Sequence, residues 1–301
     1  MREVRGRKHE GATGRRGDGA TRPKHFRLFS PSPTLPLTLS VFITIACTPT
    51  PPSMVYIPGG PFVMGTDQVD TEHRAAEYGI VKPWFEDEHP AHTASIPSYY
   101  LDKYEVTNAD YQTFVRATQR RPPSDWRGSR HPPGRARHPV TSVTWDDADT
   151  YCRWAGKRLP TEAEWEKAAR GFEGRLYPWG DRFDQDRANL GGARNGTTVV
   201  GSYPDGQSPM GVYDMTGNVW EWTADWYQPY PGNTAASPRE TPSSRVLRGS
   251  SWSGVGHFPP EALRAILAHN ARGSFRFSTD PNSRLNDVGF RCARDAEGAR
   301  G

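Results

Sequence analysis

The amino-acid sequence predicts one α+β domain that is rich in loops and low in regular secondary structure. Its 301 residues include 30 glycines and 28 prolines, a content that disfavours a helical bundle and favours turns. Aromatic residues make up 11% of the chain, and they supply the apolar area that a packed core needs. The mean hydropathy of −0.78 and a single uncharged apolar run exclude a multi-pass membrane protein.

The first 47 residues are interpreted as a basic leader that contains a signal peptide. Residues 1–27 hold nine basic and three acidic side chains, so the remaining chain carries a net charge of −2 and gives no reason to expect a nucleic-acid partner. The uncharged run Leu35–Ala46 is too short to span a bilayer but matches a signal-peptide core. Cys47 follows in a Thr-Ile-Ala-Cys sequence that resembles the bacterial lipobox.

This leader predicts export to the bacterial cell envelope. Cleavage before Cys47 and acylation of that residue would anchor the protein in the membrane. An ordinary cleaved signal peptide, or a start codon placed too early, is the alternative. Residues 48–53 form a proline-rich tether of the stiff kind. Residues 54–294 contain no further linker, so we expect one domain there, followed by a tail over residues 295–301.

Three helices are predicted from the capping signals at their starts. Thr107–Asp110 and Thr144–Asp147 each place an oxygen-bearing residue three positions before an acidic one, as in a capping box. Gly156 supplies the left-handed stop of the second helix. Thr161–Glu164 is a full capping box that opens a helix reaching residue 168 or 169.

Short strands are predicted where β-branched and apolar residues precede turn residues. The predicted strands are Val55–Ile57, Phe62–Met64 and Arg245–Leu247. Two polar segments are interpreted as solvent-exposed loops. Glu86–His92 contains two histidines and three carboxylates, but a proline between the histidines argues against a metal-binding helical face. The charges of Arg116–Arg137 are expected to be solvated.

Three cysteines are present. If Cys47 is used by the leader, Cys152 and Cys292 remain, and in an exported chain we expect them to pair. Two separate buried thiols are the alternative.

Eight motifs in a fixed order are similar to those of the formylglycine-generating enzyme, or sulfatase-modifying factor, family. They span nearly the whole predicted domain. The motifs are Tyr56–Gly65, Glu105–Asn108, Pro139–Trp145, Ala155–Glu166, Tyr177–Gly180, Gly217–Trp222, Arg248–Trp252 and Gly289–Cys292. The resemblance implies a fold related to C-type lectins, bound calcium, and a structural disulfide at positions 152 and 292. In the enzymes of this family, copper held by two cysteines uses oxygen to oxidise a sulfatase cysteine to formylglycine.

The copper cysteines of the family are absent from this chain. The matching positions are Gly254 and Pro259, and no cysteine lies between Cys152 and Cys292. Thiolates are the soft ligands that select Cu(I). The resemblance therefore implies a family member without the copper site, so copper is not expected as a cofactor.

The calcium ligands of the family have matches in this chain, unlike its copper ligands. The resemblance places a calcium ion on the carboxylates of Asp214 and Glu221 and the carbonyls of Gly217 and Val219, a set of hard oxygen donors. The alternative is that Asp214 caps a turn and Glu221 pairs with an arginine. A second family site would begin at the Asn189 side chain and the Leu190 carbonyl. The loop that follows looks too short to return a carboxylate.

Three functions are compatible with this sequence. The first is a binding or scaffold lipoprotein that uses the surface Gly254–Arg276 to hold an envelope protein or glycan. The second is a protein- or peptide-modifying oxidoreductase of the family, in which His257 and His269 would supply ligands or a base. The third is a copper-dependent cysteine oxidase. We expect Trp226 and Trp252 to line a groove. Core packing is expected to explain most of the other tryptophans of the same cluster, which are Trp145, Trp154, Trp165, Trp179, Trp220 and Trp222.

Overall fold

The computed structural model describes residues 53–234 and 243–296. The predicted leader, Cys47, the tether up to residue 52 and the tail from residue 297 lie outside the described residues. Three β-sheets and five α-helices form the described fold. No helix among the described residues has the length and apolarity that crossing a membrane requires.

The β-strands are short and mostly antiparallel. The first sheet has the order β1-β4-β9, the second pairs β2 with β3, and the third has the order β7-β6-β5-β8. The strands are β1 Met54–Ile57, β2 Gly60–Met64, β3 His92–Ile96, β4 Tyr99–Asp102, β5 Trp220–Trp226, β6 Arg245–Arg248, β7 Arg276–Thr279, β8 Val288–Gly289 and β9 Ala293–Asp295. The three strands predicted from the sequence are therefore confirmed, each extended by one or two residues.

The three predicted helices are confirmed together with their capping boxes. Helix α1, Arg74–Glu77, is a single turn. Helices α2 (Asn108–Thr118), α3 (Trp145–Trp154) and α4 (Glu162–Arg170) each begin after a threonine whose hydroxyl accepts the N–H of the third helical residue. Gly156 has a φ of 70°, as expected for the residue that ends α3.

The predicted disulfide between Cys152 and Cys292 is confirmed. Their Cα atoms are 5.6 Å apart, and both side chains are fully buried. The bond joins α3 to the segment that leads into β9. It lies in the main hydrophobic core, where α2 and α3 pack against the tryptophans of β5.

Helix α5, Pro260–Asn270, was not among the sequence predictions. It has no side-chain cap, because Pro259 and Pro260 stand at its start. Leu263 and Leu267 pack into a satellite core with Tyr177 and Leu190. The segment that follows Gly254 thus folds as a helix against the domain.

The interpretation of Glu86–His92 as a polar surface loop is wrong for Glu88. Glu86–Glu88 form a 3₁₀ turn, and Glu88 is 1% exposed. A charged group is buried at this level only when it has a partner, and Glu88 forms an ion pair with Arg272. That partner lies 184 residues away in the chain, so local sequence gave no sign of the pairing.

Candidate functional site

The positions that the resemblance assigns to the copper cysteines lie in the loop that leads into α5. Gly254 belongs to an exposed loop, and Pro259 is the residue that precedes the first turn of α5. Neither residue has a side chain that can bind a metal. Cys152 and Cys292 are both consumed by the disulfide, so residues 53–234 and 243–296 contain no free thiol.

A cavity of about 550 Å³ opens between α5, β7 and the segment 80–88. This volume lies in the range of small-molecule sites. We call it the α5 cavity, and six of its sixteen lining residues carry aromatic rings. Its lining residues are Ile80, Lys82, Pro83, Trp84, Phe85, Glu86, Asp87, Glu88, Val255, Phe258, Ile266, His269, Asn270, Phe275, Arg276 and Phe277.

His269 is the one predicted catalytic candidate that lines the α5 cavity. Its ring stacks on Trp84 with centroids 4.7 Å apart and meets the ring of Phe275 edge-on at 5.1 Å. Burial, with the nearby Arg272 guanidinium, lowers the pKa of His269 well below its usual value. The imidazole is therefore neutral at pH 7 and acts as part of the aromatic wall.

His257 does not join His269. It is exposed and is absent from the lining of the α5 cavity. The two-histidine site expected for the enzyme hypothesis is therefore not assembled. The nearest carboxylate to His269 in the cavity is Glu88, whose Oε1 lies 4.0 Å from the His269 Nε2.

One oxygen of the Glu88 carboxylate is hydrogen-bonded and the other is not. Its Oε1 accepts from the Arg272 guanidinium, which also donates to the His269 carbonyl over 3.0 Å. The other oxygen, Oε2, is buried and has no hydrogen-bond partner. A buried acceptor left without a donor costs about 1–3 kcal/mol. Sequence reasoning missed Glu88, although it lies in the acidic run that was considered for metal binding.

A buried ion-pair network supports the back of the α5 cavity. Arg276 donates two hydrogen bonds to the Glu162 carboxylate, at 2.7 and 2.8 Å. Arg248 pairs with Glu166, and both side chains are completely buried. These contacts tie the strands β6 and β7 to helix α4. They hold the cavity wall in place, because removing one partner would leave an uncompensated buried charge.

The predicted calcium ligands lie together in a second buried cluster. Glu221 accepts two hydrogen bonds from Arg291, at 2.6 and 2.7 Å, and one from the indole N–H of Trp165 at 2.9 Å. Asp214 has a φ of 56° and accepts from the N–H of Gly201 at 2.6 Å. Of the contacts that the alternative interpretation predicts, an arginine on Glu221 is therefore present, and the Asp214 carboxylate caps the turn at Gly201.

Glu105 adds a carboxylate that sequence reasoning did not assign to this cluster. Its Oε2 accepts from Asn218 at 3.0 Å, and its Oε1 is buried without a partner. Burial, followed by the charges of Asp214 and Glu221, raises the pKa of Glu105 well above its usual value. Burial also raises the pKa of Asp214 to about 6. An excess of buried carboxylates with one unsatisfied oxygen fits a cation that Glu105 and Asp214 would share.

The second predicted calcium position is less complete. Asn189 and Leu190 are both buried, and the Asn189 Oδ1 has no hydrogen-bond partner. The Asn189 amide donates to the Gly196 carbonyl at 2.9 Å, so the following loop closes on the asparagine through its backbone. Within residues 53–234 and 243–296, no three His, Cys, Asp or Glu side chains converge as a ready-made metal site.

The two tryptophans expected to line a groove lie in different places. Trp226 is 44% exposed, and the Arg245 guanidinium lies between its ring and that of Trp145, at 3.6 and 3.7 Å from the centroids. Trp252 lines a separate cavity of about 320 Å³ with Arg135 and Asn286. No shared groove joins the two tryptophans in these contacts.

The order of the motifs and the Cys152–Cys292 disulfide define a domain of the sulfatase-modifying factor class. The chain belongs to this family: the sulfatase-modifying factor enzyme 1-like domain matches residues 42–296. The resemblance stated from the motifs is confirmed, and so is the mixed α+β fold expected from it.

Relatives of two kinds are equally similar to the chain. The inactive C-alpha-formylglycine-generating enzyme 2 of Mus musculus is 33% identical over 297 residues, covering 81% of this chain and 86% of the relative. The formylglycine-generating enzyme of Streptomyces coelicolor is 34% identical over 303 residues, covering 81% and 89%. The solved structure of PvdO from Pseudomonas aeruginosa has a TM-score of 0.60 at 28% identity, covering 81% and 94%. Overall identity therefore does not decide between catalysis and another role.

Proposed function

We propose that this protein is a partner-binding member of the family that does not oxidise cysteine with copper. The observation that carries the proposal is the sequence and fold of residues 254–270, which we call the α5 segment. Gly254 and Pro259 stand where thiolates are needed, and the segment folds into a helix that walls an aromatic cavity. Because Cu(I) sites of the family type need soft thiolate ligands, this chain has no residues that can build one.

The binding face is the surface Gly254–Arg276 with the mouth of the α5 cavity. Phe258 and Phe275 are half-buried there, and Phe277 is 49% exposed. Aromatic side chains of this kind are enriched where proteins bind other proteins. We therefore favour an envelope protein as partner, and a glycan would be the other outcome of the test.

The site of action is the cell envelope, reached through the predicted signal peptide. The basic segment, the apolar run and Cys47 support export with a lipid anchor on Cys47. Mass spectrometry of the N-terminal peptide from native cells tests this proposal. A diacylated or triacylated Cys47 is expected, and an unmodified peptide that begins before residue 40 would contradict it.

Calcium is proposed as a structural cofactor of the buried carboxylate cluster. Asp214 and Glu105 would supply carboxylate oxygens, and Gly217 and Val219 would supply carbonyl oxygens, as hard ligands that suit this ion. Calcium would neutralise charge in the cluster and hold the turn before β5. Glu221, which is paired with Arg291, would remain beside the ion and orient the surrounding backbone.

Site-specific photo-crosslinking in native cells tests partner binding. We would replace Phe258, at the mouth of the α5 cavity, with a photoreactive phenylalanine analogue. The matched control is the same replacement at Tyr56, which is 51% exposed on β1. A discrete adduct from position 258 alone is expected, and digestion of the adduct shows whether it is protein or glycan. No adduct at 258, or the same adduct at both positions, would contradict the proposal.

A parallel assay tests the absence of oxidase activity. The purified chain is incubated with copper, oxygen and a cysteine peptide carrying a sulfatase motif, with the Streptomyces coelicolor relative as positive control. We expect no aldehyde product and no stoichiometric copper in the chain. Aldehyde formation at a rate near that of the control would refute the proposal directly.

A second candidate function is modification of a peptide by the same domain. The observation that favours it is the neutral His269 imidazole beside Glu88 in a cavity of ligand size. A crosslinked partner would then carry a mass change that His269→Gln abolishes. An unmodified partner would leave binding as the function.

A further inference from the structure

The α5 cavity has the composition of a site for a small organic cation. Its wall carries five aromatic side chains, from Trp84, Phe85, Phe258, Phe275 and Phe277. Aromatic faces attract ammonium groups through their negative quadrupole, and the attraction grows when the site excludes water. The wall therefore favours a ligand that combines an apolar body with a positive charge.

A residue that lines this cavity has one carboxylate oxygen without a hydrogen-bond donor. Glu88 lines the cavity, and its Oε2 is buried and unpartnered while its Oε1 is engaged by Arg272. The neutral His269 does not compete as a cation. An ammonium N–H at Oε2 would form a charge-assisted hydrogen bond, which is stronger than one from a neutral donor.

The cations that line the cavity are already paired. Arg276 is bound to Glu162 through two hydrogen bonds, and Lys82 forms an ion pair with Asp87. A carboxylate ligand would have to break one of these pairs and would also face Glu88. The charge arrangement therefore selects against anions.

We propose that the α5 cavity binds a small aryl-alkyl primary amine. Its ammonium group would donate to the Glu88 Oε2, and its ring would rest against Trp84 and Phe275. The inference goes beyond partner binding at the face Gly254–Arg276, because it assigns a chemical class of ligand to the cavity behind that face.

Isothermal titration of the full chain with three related probes tests the assignment. The probes are 2-phenylethylamine, 2-phenylethanol and phenylacetate, which share one carbon skeleton; the amine and the alcohol are isosteric, and phenylacetate carries a carboxylate at the same end. We expect the amine to bind at least about tenfold more tightly than the alcohol, the equivalent of one charge-assisted hydrogen bond, and phenylacetate not to bind. Equal affinity of amine and alcohol, tighter binding of phenylacetate, or no binding of the amine would overturn the proposal.

Two variants and one control variant locate the bound amine. Ile266→Trp fills the cavity from α5 and should abolish amine binding, whereas Val63→Trp, at an exposed position of β2, should leave it unchanged. Glu88→Gln keeps the side-chain length and an amide oxygen that can accept from Arg272. Once urea unfolding shows that this variant is folded, it should weaken the amine about tenfold while leaving the alcohol unchanged. Amine binding that survives Ile266→Trp would place the ligand elsewhere and refute the site. Failure of these titrations leaves the crosslinking result unaffected, so the two proposals can fail separately.

Discussion

Removal of the Cys152–Cys292 disulfide should cost this domain much of its stability. The bond closes a loop of 140 residues, and the chain-entropy relation gives about 5 kcal/mol at 25 °C for a loop of that length. Engineered and native bonds often yield less, so we expect a loss of about 3–5 kcal/mol in the double variant Cys152→Ala/Cys292→Ala. Whole domains are stable by only about 5–15 kcal/mol, and the variant should therefore unfold at a much lower urea concentration.

The assay is equilibrium unfolding in urea, followed by tryptophan fluorescence. Cys47→Ala is the matched control, because it removes a sulfur outside the described domain and should leave the urea midpoint unchanged. Reduction of the wild-type chain with a thiol should reproduce the behaviour of the double variant. A loss below about 1 kcal/mol would refute the reasoning, because it would mean that the unfolded chain gains little freedom when the bond is absent.

Four further outcomes follow from the buried clusters and α5. Calcium chelation should lower the melting temperature by several degrees, and an unchanged melting curve would remove Asp214 and Glu105 as calcium ligands. In the presence of a chelator, the free energy of unfolding should fall by up to about 3 kcal/mol as the pH rises from about 4 to 6. The reason is that the folded Asp214, with its pKa raised to about 6, binds its proton more tightly than the unfolded residue. Urea unfolding at both pH values should show a smaller pH dependence in Asp214→Asn, and an unchanged pH dependence in that variant would assign the effect to another group. Arg291→Gln should lower the free energy of unfolding in urea by about 3–5 kcal/mol, because it leaves Glu221 charged and buried. Adding Glu221→Gln should recover part of the loss. Equal stability of Arg291→Gln and the wild type would contradict the role of the ion pair. Leu267→Ala should cost about 2–5 kcal/mol by the same measurement, whereas Leu285→Ala, at a position 40% exposed, should cost less than about 0.5 kcal/mol, and similar losses for both would show that α5 is not packed as described.

The parts of the fold that local sequence determines were predictable. Each capping box joins residues three positions apart. Thr107, Thr144 and Thr161 therefore predict the starts of α2, α3 and α4 from local sequence alone. The disulfide followed from the count of cysteines in an exported chain. The family followed from the order of its motifs, which the domain match confirms.

The α5 cavity was not predictable in the same way. Helix α5 starts at two consecutive prolines without a capping residue, and its support comes from leucines that contact distant segments. Glu88 looks like a surface residue in sequence, because its partner Arg272 is brought near only by the tertiary fold. Buried ion pairs of this kind depend on long-range contacts, which composition and periodicity do not encode.

The carboxylate cluster was predicted in part. Asp214 and Glu221 were named from the motif, but Glu105 was not, although it belongs to another motif of the same family. The pairing of Glu221 with Arg291 spans 70 residues. One motif alone therefore does not show which oxygens remain open for a metal ion.

The sheet β1-β4-β9 contains both the first and the last strand of the domain, with β4 between them. β1 and β9 both pair antiparallel with β4, so they run in the same direction and are separated by about 10 Å, two strand spacings. Because the two strands are parallel, the chain enters β1 and leaves β9 at opposite ends of this sheet. A reporter group attached after β9 would therefore start from the end of the sheet that lies away from the first residue of β1.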